Sequence, residues 1–172
     1  MENIQKIGFG GGCHWCTEAV FQSLNGVQMV EQGWIASEGD ADTFSEAVIV
    51  HFGSTQIPLA VLIEIHLKTH KSTSEHSMRK KYRSAIYYFE RKQQGAVNDI
   101  LKSFQSKFNN GLITQVLPYV KFKPSQGLFE DYYFKNPKKP FCSSFIDPKL
   151  KVILSKFSVF ANKKKLKHLK QV

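Results

Sequence analysis

The run Gly10-Gly11-Gly12-Cys13-His14-Trp15-Cys16 constrains this chain more than any other stretch, because it sets three flexible residues and a thiol between segments of different period. Ahead of it, Ile4 to Phe9 reads as a short strand. Behind it, His14 to Leu24 carries apolar residues at helical spacing until Asn25-Gly26 stops it. A strand that passes through glycines into a helix leaves backbone N–H groups unpaired at the helix start, and a cysteine there meets the positive end of the helix dipole. Both effects favour thiolate and lower a thiol pKa from its free value of about 8.5. Cys13 is therefore the candidate nucleophile, with Cys16 one helical turn later.

The remaining pattern predicts extended segments at Val27 to Ala36 and Ala47 to Phe52, joined by the polar stretch Ser37 to Ser45. Pro58 opens a helix whose apolar positions Leu59, Leu62, Ile63 and Ile65 end near His70. After the polar, basic Lys71 to Lys81 come a strand over Tyr82 to Phe89, an amphipathic helix over Arg91 to Phe108 and a strand over Ile113 to Phe122. The order predicts an α+β fold, a ferredoxin-like split β-α-β sandwich with an extra helix, a strand and an irregular C-terminal arm beginning at Pro124. At 172 residues the chain fits one domain. The expected division is a catalytic domain over 1–155 and a basic tail over 156–172.

Charge narrows the partners. Residues 1–60 hold one basic and seven acidic residues, whereas the rest carry a net +16, with six lysines and no acid from Lys156 onward. That run is expected to be a solvated or frayed tail, and no nucleic-acid motif accompanies it, so nucleic acid is not an expected partner. No apolar run approaches the roughly 18 residues of a membrane span, and the N-terminus lacks the basic and apolar regions of a secretory signal. A soluble, cytoplasmic protein without membrane association is expected. Three cysteines (Cys13, Cys16 and Cys142) are too few for a disulfide scaffold and are not spaced as a four-ligand zinc site. One close pair and one distant partner suit thiols that oxidise transiently and are then reset. His66 and His70 have chelating spacing but lack the HExxH arrangement. No metal and no cofactor are expected.

The stretch Gly8-Phe9-Gly10-Gly11-Gly12-Cys13-His14-Trp15 resembles the signature of the A-type peptide methionine sulfoxide reductases, which usually read GGGCFW. Further matches follow in family order: Glu18-Ala19-Val20-Phe21, Gly26-Val27, Ser45-Glu46-Ala47-Val48, Glu64-Ile65-His66 and Tyr82-Arg83-Ser84-Ala85-Ile86. Lys135-Asn136-Pro137, Phe141-Cys142 and Pro148-Lys149-Leu150 complete a resemblance running from about Ile7 to Leu150. It implies thiol-dependent reduction of methionine-S-sulfoxide in proteins or peptides, through a cysteine sulfenic acid and a disulfide reset by thioredoxin or a similar dithiol. By resemblance Cys13 attacks sulfur, Glu46 protonates the sulfoxide oxygen, Tyr82 binds that oxygen, and Trp15 walls the pocket for the substrate methyl group. A carboxyl at a strand start ahead of Ala47-Val48-Ile49-Val50 is placed for partial burial, which favours its protonated form. Cys142, in a proline-rich arm, matches the resolving cysteine. Cys16 is its rival through the CxxC spacing.

Three departures stand beside these matches. His14 replaces the usual phenylalanine, either stabilising thiolate or serving as a second substrate-binding wall of the pocket. Ser77 replaces an aspartate five residues before the tyrosine, and the segment Trp34 to Glu46 is short and lacks the family's tyrosine. Arg79, Lys80 and Lys81 make the preceding loop basic. A catalytically weak relative serving as a thiol redox sensor is the alternative these departures suggest.

Overall fold

Apolar alternation and β-branched content make Ile4–Gly10 (β1) and Ser45–Gly53 (β3) the centre of a six-stranded sheet. The computed structural model describes residues 3–169. The other elements are α1 (His14–Gln22), β2 (Val27–Ala36), α2 (Leu59–Lys68), β4 (Ala85–Tyr88), α3 (Arg91–Phe104), β5 (Gln115–Pro118), β6 (Lys121–Pro124), α4 (Tyr132–Lys135) and α5 (Asp147–Lys156). The strand order is β5-β4-β1-β3-β2-β6. β1 and β3 pair antiparallel from Ile4↔Gly53 to Gly10↔Ala47. No helix among the described residues is long and apolar enough to cross a membrane.

Both faces of β3 are covered, so its apolar residues run almost continuously. Val48, Val50 and Phe52 join a core built with Ile7, Phe9, Ala19, Val20, Leu62, Ile65, Val97 and Leu150, which brings the long helices together. Ala47 and Ile49 turn the other way, toward Ile35, Ala85 and Tyr87, with Leu117, Tyr119 and Phe122 packed over them.

The expected strand Ile113 to Phe122 divides into β5 and β6, at opposite edges of the sheet. β5 runs parallel to β4, and β6 pairs antiparallel with β2. Pro118 has no N–H to continue a ladder. The next two residues then reach both edges: Tyr119 N–H donates to the Tyr88 carbonyl at 2.9 Å and Val120 N–H to that of Ala36 at 3.3 Å. The sheet thus curls over its second core. The approach of β6 also requires glycine at position 33, where a Cβ would stand 2.1 Å from the Lys123 carbonyl oxygen.

The expected strand Tyr82 to Phe89 shortens to Ala85–Tyr88, because local partners take the backbone ahead of it. The Tyr82 carbonyl accepts from Arg79, and Arg83 N–H donates to Ser45 Oγ. The helix expected over Arg91 to Phe108 ends at Phe104 and tightens into a 3-10 turn. In place of a solvated or frayed basic tail, residues 157–169 return to the body. Asn25 N–H donates to the Phe160 carbonyl and Asn162 N–H to that of Ser23, while Leu166 and Leu169 are buried and Lys163 to Lys165 exposed. Two leucines three residues apart form the apolar stripe that the lysines obscure in sequence. Residues 170–172 of that expected tail lie outside the described residues.

α2 ends in a buried histidine pair beneath the glycine run. His66 Nε2–H donates to the Gly10 carbonyl at 2.7 Å, and His70 Nδ1–H to that of His66 at 2.5 Å, while Ser84 Oγ lies 2.8 Å from His70 Nε2. Burial holds both imidazoles neutral, pushing His66 well below the ordinary histidine range and His70 down to about 4. Unfolded histidines titrate near 6.5, so below that pH the unfolded state binds protons that the folded state refuses. Stability is thus fully present above about pH 6.5 and falls by about 1.4 kcal/mol per pH unit for each histidine until its folded pKa is reached. Urea unfolding at pH 7, 6 and 5 is expected to show a loss of ~2 kcal/mol or more over the last unit, halved by His70→Gln.

Candidate active site

α1 begins at Cys13, whose extended backbone (φ −59°, ψ 127°) makes it the cap residue. Its carbonyl accepts from Cys16 N–H at 3.1 Å and Thr17 N–H at 3.2 Å, so the half-buried thiol stands over the open first turn. Its pKa is lowered, first by a hydrogen bond from the Cys16 thiol and then by the Trp15 and Cys16 N–H groups; burial and the charge of Glu46 oppose this. Cys16, buried and donating to that thiolate, is pushed far up. Of the two thiols Cys13 is therefore the more acidic. The glycine run ahead of it is tightly packed: a Cβ on Gly11 would lie 2.4 Å from His70 Cδ2.

Opposite the thiol, β3 presents Glu46, 6 % exposed. Its Oε1 accepts from His14 N–H at 3.2 Å and lies 3.3 Å from His14 Nε2, while Oε2 is 3.8 Å from Lys81 Nζ. His14 turns inward, its Nδ1 2.7 Å from the Gly33 carbonyl and its ring edge-on to Trp34 at 5.0 Å. Burial lowers the His14 pKa against the pull of that carbonyl and of Glu46. Lys81 also sits over the Tyr82 ring at 5.0 Å, and the Tyr82 side chain, then Glu46, raise the lysine pKa. Cys13, His14 and Glu46 are thus gathered directly, and Tyr82 joins through Lys81. Ser77 is exposed.

Trp15 faces the C-terminal arm. Its ring stacks on Tyr132 at 4.1 Å and on Phe129 at 5.9 Å, with Phe141 edge-on at 5.5 Å and Lys139 over Tyr132 at 4.1 Å. Glu18, one turn beyond Trp15 on α1 and buried, anchors that arm: its carboxyl accepts from Asp131 N–H at 3.0 Å, Tyr132 N–H at 3.2 Å and Gln32 Nε2 at 3.0 Å. Desolvation raises its pKa despite these donors. Sequence reasoning passed over Glu18 as a site residue, although a lone carboxylate beside Ala19-Val20-Phe21 signals a buried polar anchor. Tyr132, Phe129 and Gly33 carry no comparable signal, since their roles exist only once distant segments meet.

Cys142 is buried in a π-helical turn (Cys142–Ile146) packed on α1, its thiol 3.7 Å from the Asn136 carbonyl. Burial raises its pKa. Arg79 is a staple for the site: its guanidinium donates to the carbonyls of Gly11, Tyr82, Ser74 and Lys71. Arg79→Ala is expected to cost about 2–3 kcal/mol in urea unfolding, with little recovery in Arg79→Lys, because an ammonium lacks the fork that reaches separated acceptors. A cleft of about 640 Å³ lined by Lys6, Leu59, Phe89 and Gln93 lies apart from these groups and contains none of them.

Known proteins resemble this chain in sequence and in fold. The sequence model of the peptide methionine sulfoxide reductases matches residues 5–161. Peptide methionine sulfoxide reductase MsrA of Psychrobacter sp. (strain PRwf-1) is 32 % identical over 176 residues, covering 93 % of this chain and 100 % of the relative. MsrA of Acinetobacter baumannii (strain SDF) is 30 % identical over 168 residues, covering 90 % and 96 %. In fold the chain is similar to Mxr1 from Saccharomyces cerevisiae in its reduced form, with a TM-score of 0.72 and 20 % identity over 81 % of this chain and 89 % of that one. Mxr1 in complex with Trx2 is also similar, with a TM-score of 0.61 and 20 % identity over 72 % and 81 %. This chain belongs to the peptide methionine sulfoxide reductase family.

Proposed function

We propose that this chain reduces methionine-S-sulfoxide in proteins or peptides to methionine, with thioredoxin or a similar dithiol as the final reductant. The observation that carries the reading is a half-buried Cys13 thiol at a helix start, its pKa lowered chiefly by the Cys16 thiol, with a buried carboxyl, Glu46, beside it. Family membership supplies the reaction, and the Mxr1 complex with Trx2 supports a thioredoxin partner. The central strand order β4-β1-β3-β2 supports the ferredoxin-like split β-α-β description. We infer a single catalytic domain that includes residues 157–169, and a cycle in a reducing, cytoplasmic setting.

In the first step Cys13 thiolate attacks the sulfoxide sulfur and Glu46 gives a proton to its oxygen. The S–O bond of the substrate breaks, the protonated oxygen passes to the Cys13 sulfur as the transient S–S bond breaks, methionine leaves, and Cys13 is oxidised to sulfenic acid. Trp15 and His14 form apolar walls beside the thiol, and Tyr82 with Lys81 offers donors on the oxygen side. Oxidation then changes the Cys16 thiol: the chief cause of its high pKa is the Cys13 thiolate, which no longer exists in the neutral sulfenic acid. Cys16 attacks the sulfenic sulfur, releasing water and forming a Cys13–Cys16 disulfide. Cys142 resolves that bond, displacing Cys13 and leaving a Cys16–Cys142 disulfide for the dithiol to reduce.

Peptide mapping after one equivalent of methionine sulfoxide without reductant tests this order. Cys142→Ser is expected to accumulate Cys13–Cys16, and Cys16→Ser to leave Cys13 as a sulfenic acid trapped by dimedone. A Cys13–Cys142 disulfide forming at the wild-type rate in Cys16→Ser would assign resolution to Cys142 alone.

A further inference from the structure

The contact between His14 and Glu46 exceeds what a pocket wall requires. A wall needs only a flat apolar face, whereas this ring is held at both nitrogens. Nδ1 lies 2.7 Å from the Gly33 carbonyl oxygen, which can only accept, so Nδ1 carries a hydrogen. In the neutral ring Nε2 is then an acceptor, and it lies 3.3 Å from Glu46 Oε1. Both side chains are under 10 % exposed, so little water competes for the proton between them. Gly33 cannot move away, because β6 lies against it.

We propose that His14 is a positioning residue that shares a single proton with Glu46, holding it between Nε2 and Oε1 until the sulfoxide oxygen takes it. The proposal rests on the reductase reading above. From α1 and its cap come Cys13, Trp15 and the His14 N–H that also donates to Oε1. β2 contributes the Gly33 carbonyl and the Trp34 edge, with Lys123 over the far side of that indole system at 5.6 Å. β3 contributes Glu46, and the segment before β4 contributes Lys81, whose charge disfavours an imidazolium while that of Glu46 favours it. Burial is the largest influence and also disfavours the imidazolium. Nε2 and Oε1 are thus two acceptors 3.3 Å apart that one proton between them satisfies. When substrate arrives, the shared proton moves to the sulfoxide oxygen, the carboxylate remains, and one proton from solvent restores the pair through Nε2. No electrons move in this step; those that reduce sulfur come from Cys13.

Nitrogen-15 NMR of histidine-labelled, reduced protein tests the pair without turnover, with His14→Phe used to assign the resonance. The unmodified protein is expected to show the Nδ1–H tautomer when neutral, and Glu46→Gln is expected to move the His14 titration down by about one pH unit or more, because the shared proton is gone. A Nε2–H tautomer, or an identical titration in Glu46→Gln, overturns the proposal. Kinetics test its use: the loss in kcat/KM for a blocked methionine sulfoxide caused by His14→Phe is expected to be at least tenfold greater at pH 8 than at pH 6. An equal loss at both pH values indicates a purely packing role and also overturns it. If unmodified protein turns over no methionine sulfoxide, the reductase reading fails, while the NMR result still decides whether the pair shares a proton.

Discussion

Cys13→Ser is expected to lower methionine sulfoxide turnover by about 10³-fold or more without lowering stability. The two outcomes have separate causes. Activity depends on an anion at Sγ, which the Cys16 hydrogen bond and the Trp15 and Cys16 N–H groups favour; a serine hydroxyl in the same place stays neutral and is a poor nucleophile toward sulfur. Stability depends on the cap, and serine is among the best capping residues. The first turn of α1 now has no side-chain cap, so a hydroxyl at position 13 adds about 0.5–1 kcal/mol if it reaches a free N–H of that turn. Paired measurements of kcat and the urea midpoint check both halves. A variant that loses activity by unfolding would not meet this expectation.

Glu46→Gln is expected to cost 10²- to 10⁴-fold in kcat, the usual contribution of a positioned general acid. Glutamine preserves the shape and can still accept from the His14 N–H, but it cannot yield a proton to the sulfoxide oxygen. The nucleophile should respond in the opposite direction. Any charge on Glu46 raises the Cys13 pKa and glutamine carries none, so alkylation of Cys13 by iodoacetamide at pH 7 should be at least as fast as in the wild type. Reduction lost with alkylation kept separates acid catalysis from thiol activation. Loss of both would mean that Glu46 serves only to shape the site.

The contrast between what the chain discloses locally and what it conceals follows from sequence distance. Cys13 was legible because its activation depends on its immediate neighbours: the glycines ahead, the helix behind and Cys16 one turn on. The four central strands were legible because each carries its own apolar pattern. The division of the stretch 113–122 was not, since residues 115–118 and 121–124 are both extended and only their partners, β4 and β2, distinguish them. The same holds for the site's second half. Gly33 acts through a carbonyl, which no residue type reveals, and Tyr132 acts by reaching Trp15 across more than a hundred residues. Arg79 read as one cation in a solvated basic loop, yet it binds four backbone carbonyls, because the chain before β4 folds around it. His14 was visible as a departure from the usual phenylalanine, but its partner Glu46 lies 32 residues away, on β3.

The most direct measurement incubates the reduced protein with the separate S and R epimers of a blocked methionine sulfoxide and a dithiol reductant, and quantifies the blocked methionine formed. The account predicts steady conversion of the S epimer, none of the R epimer, and loss of all conversion in Cys13→Ser. Conversion of neither epimer by protein whose Cys13 remains readily alkylated, or conversion that persists without Cys13, would contradict it.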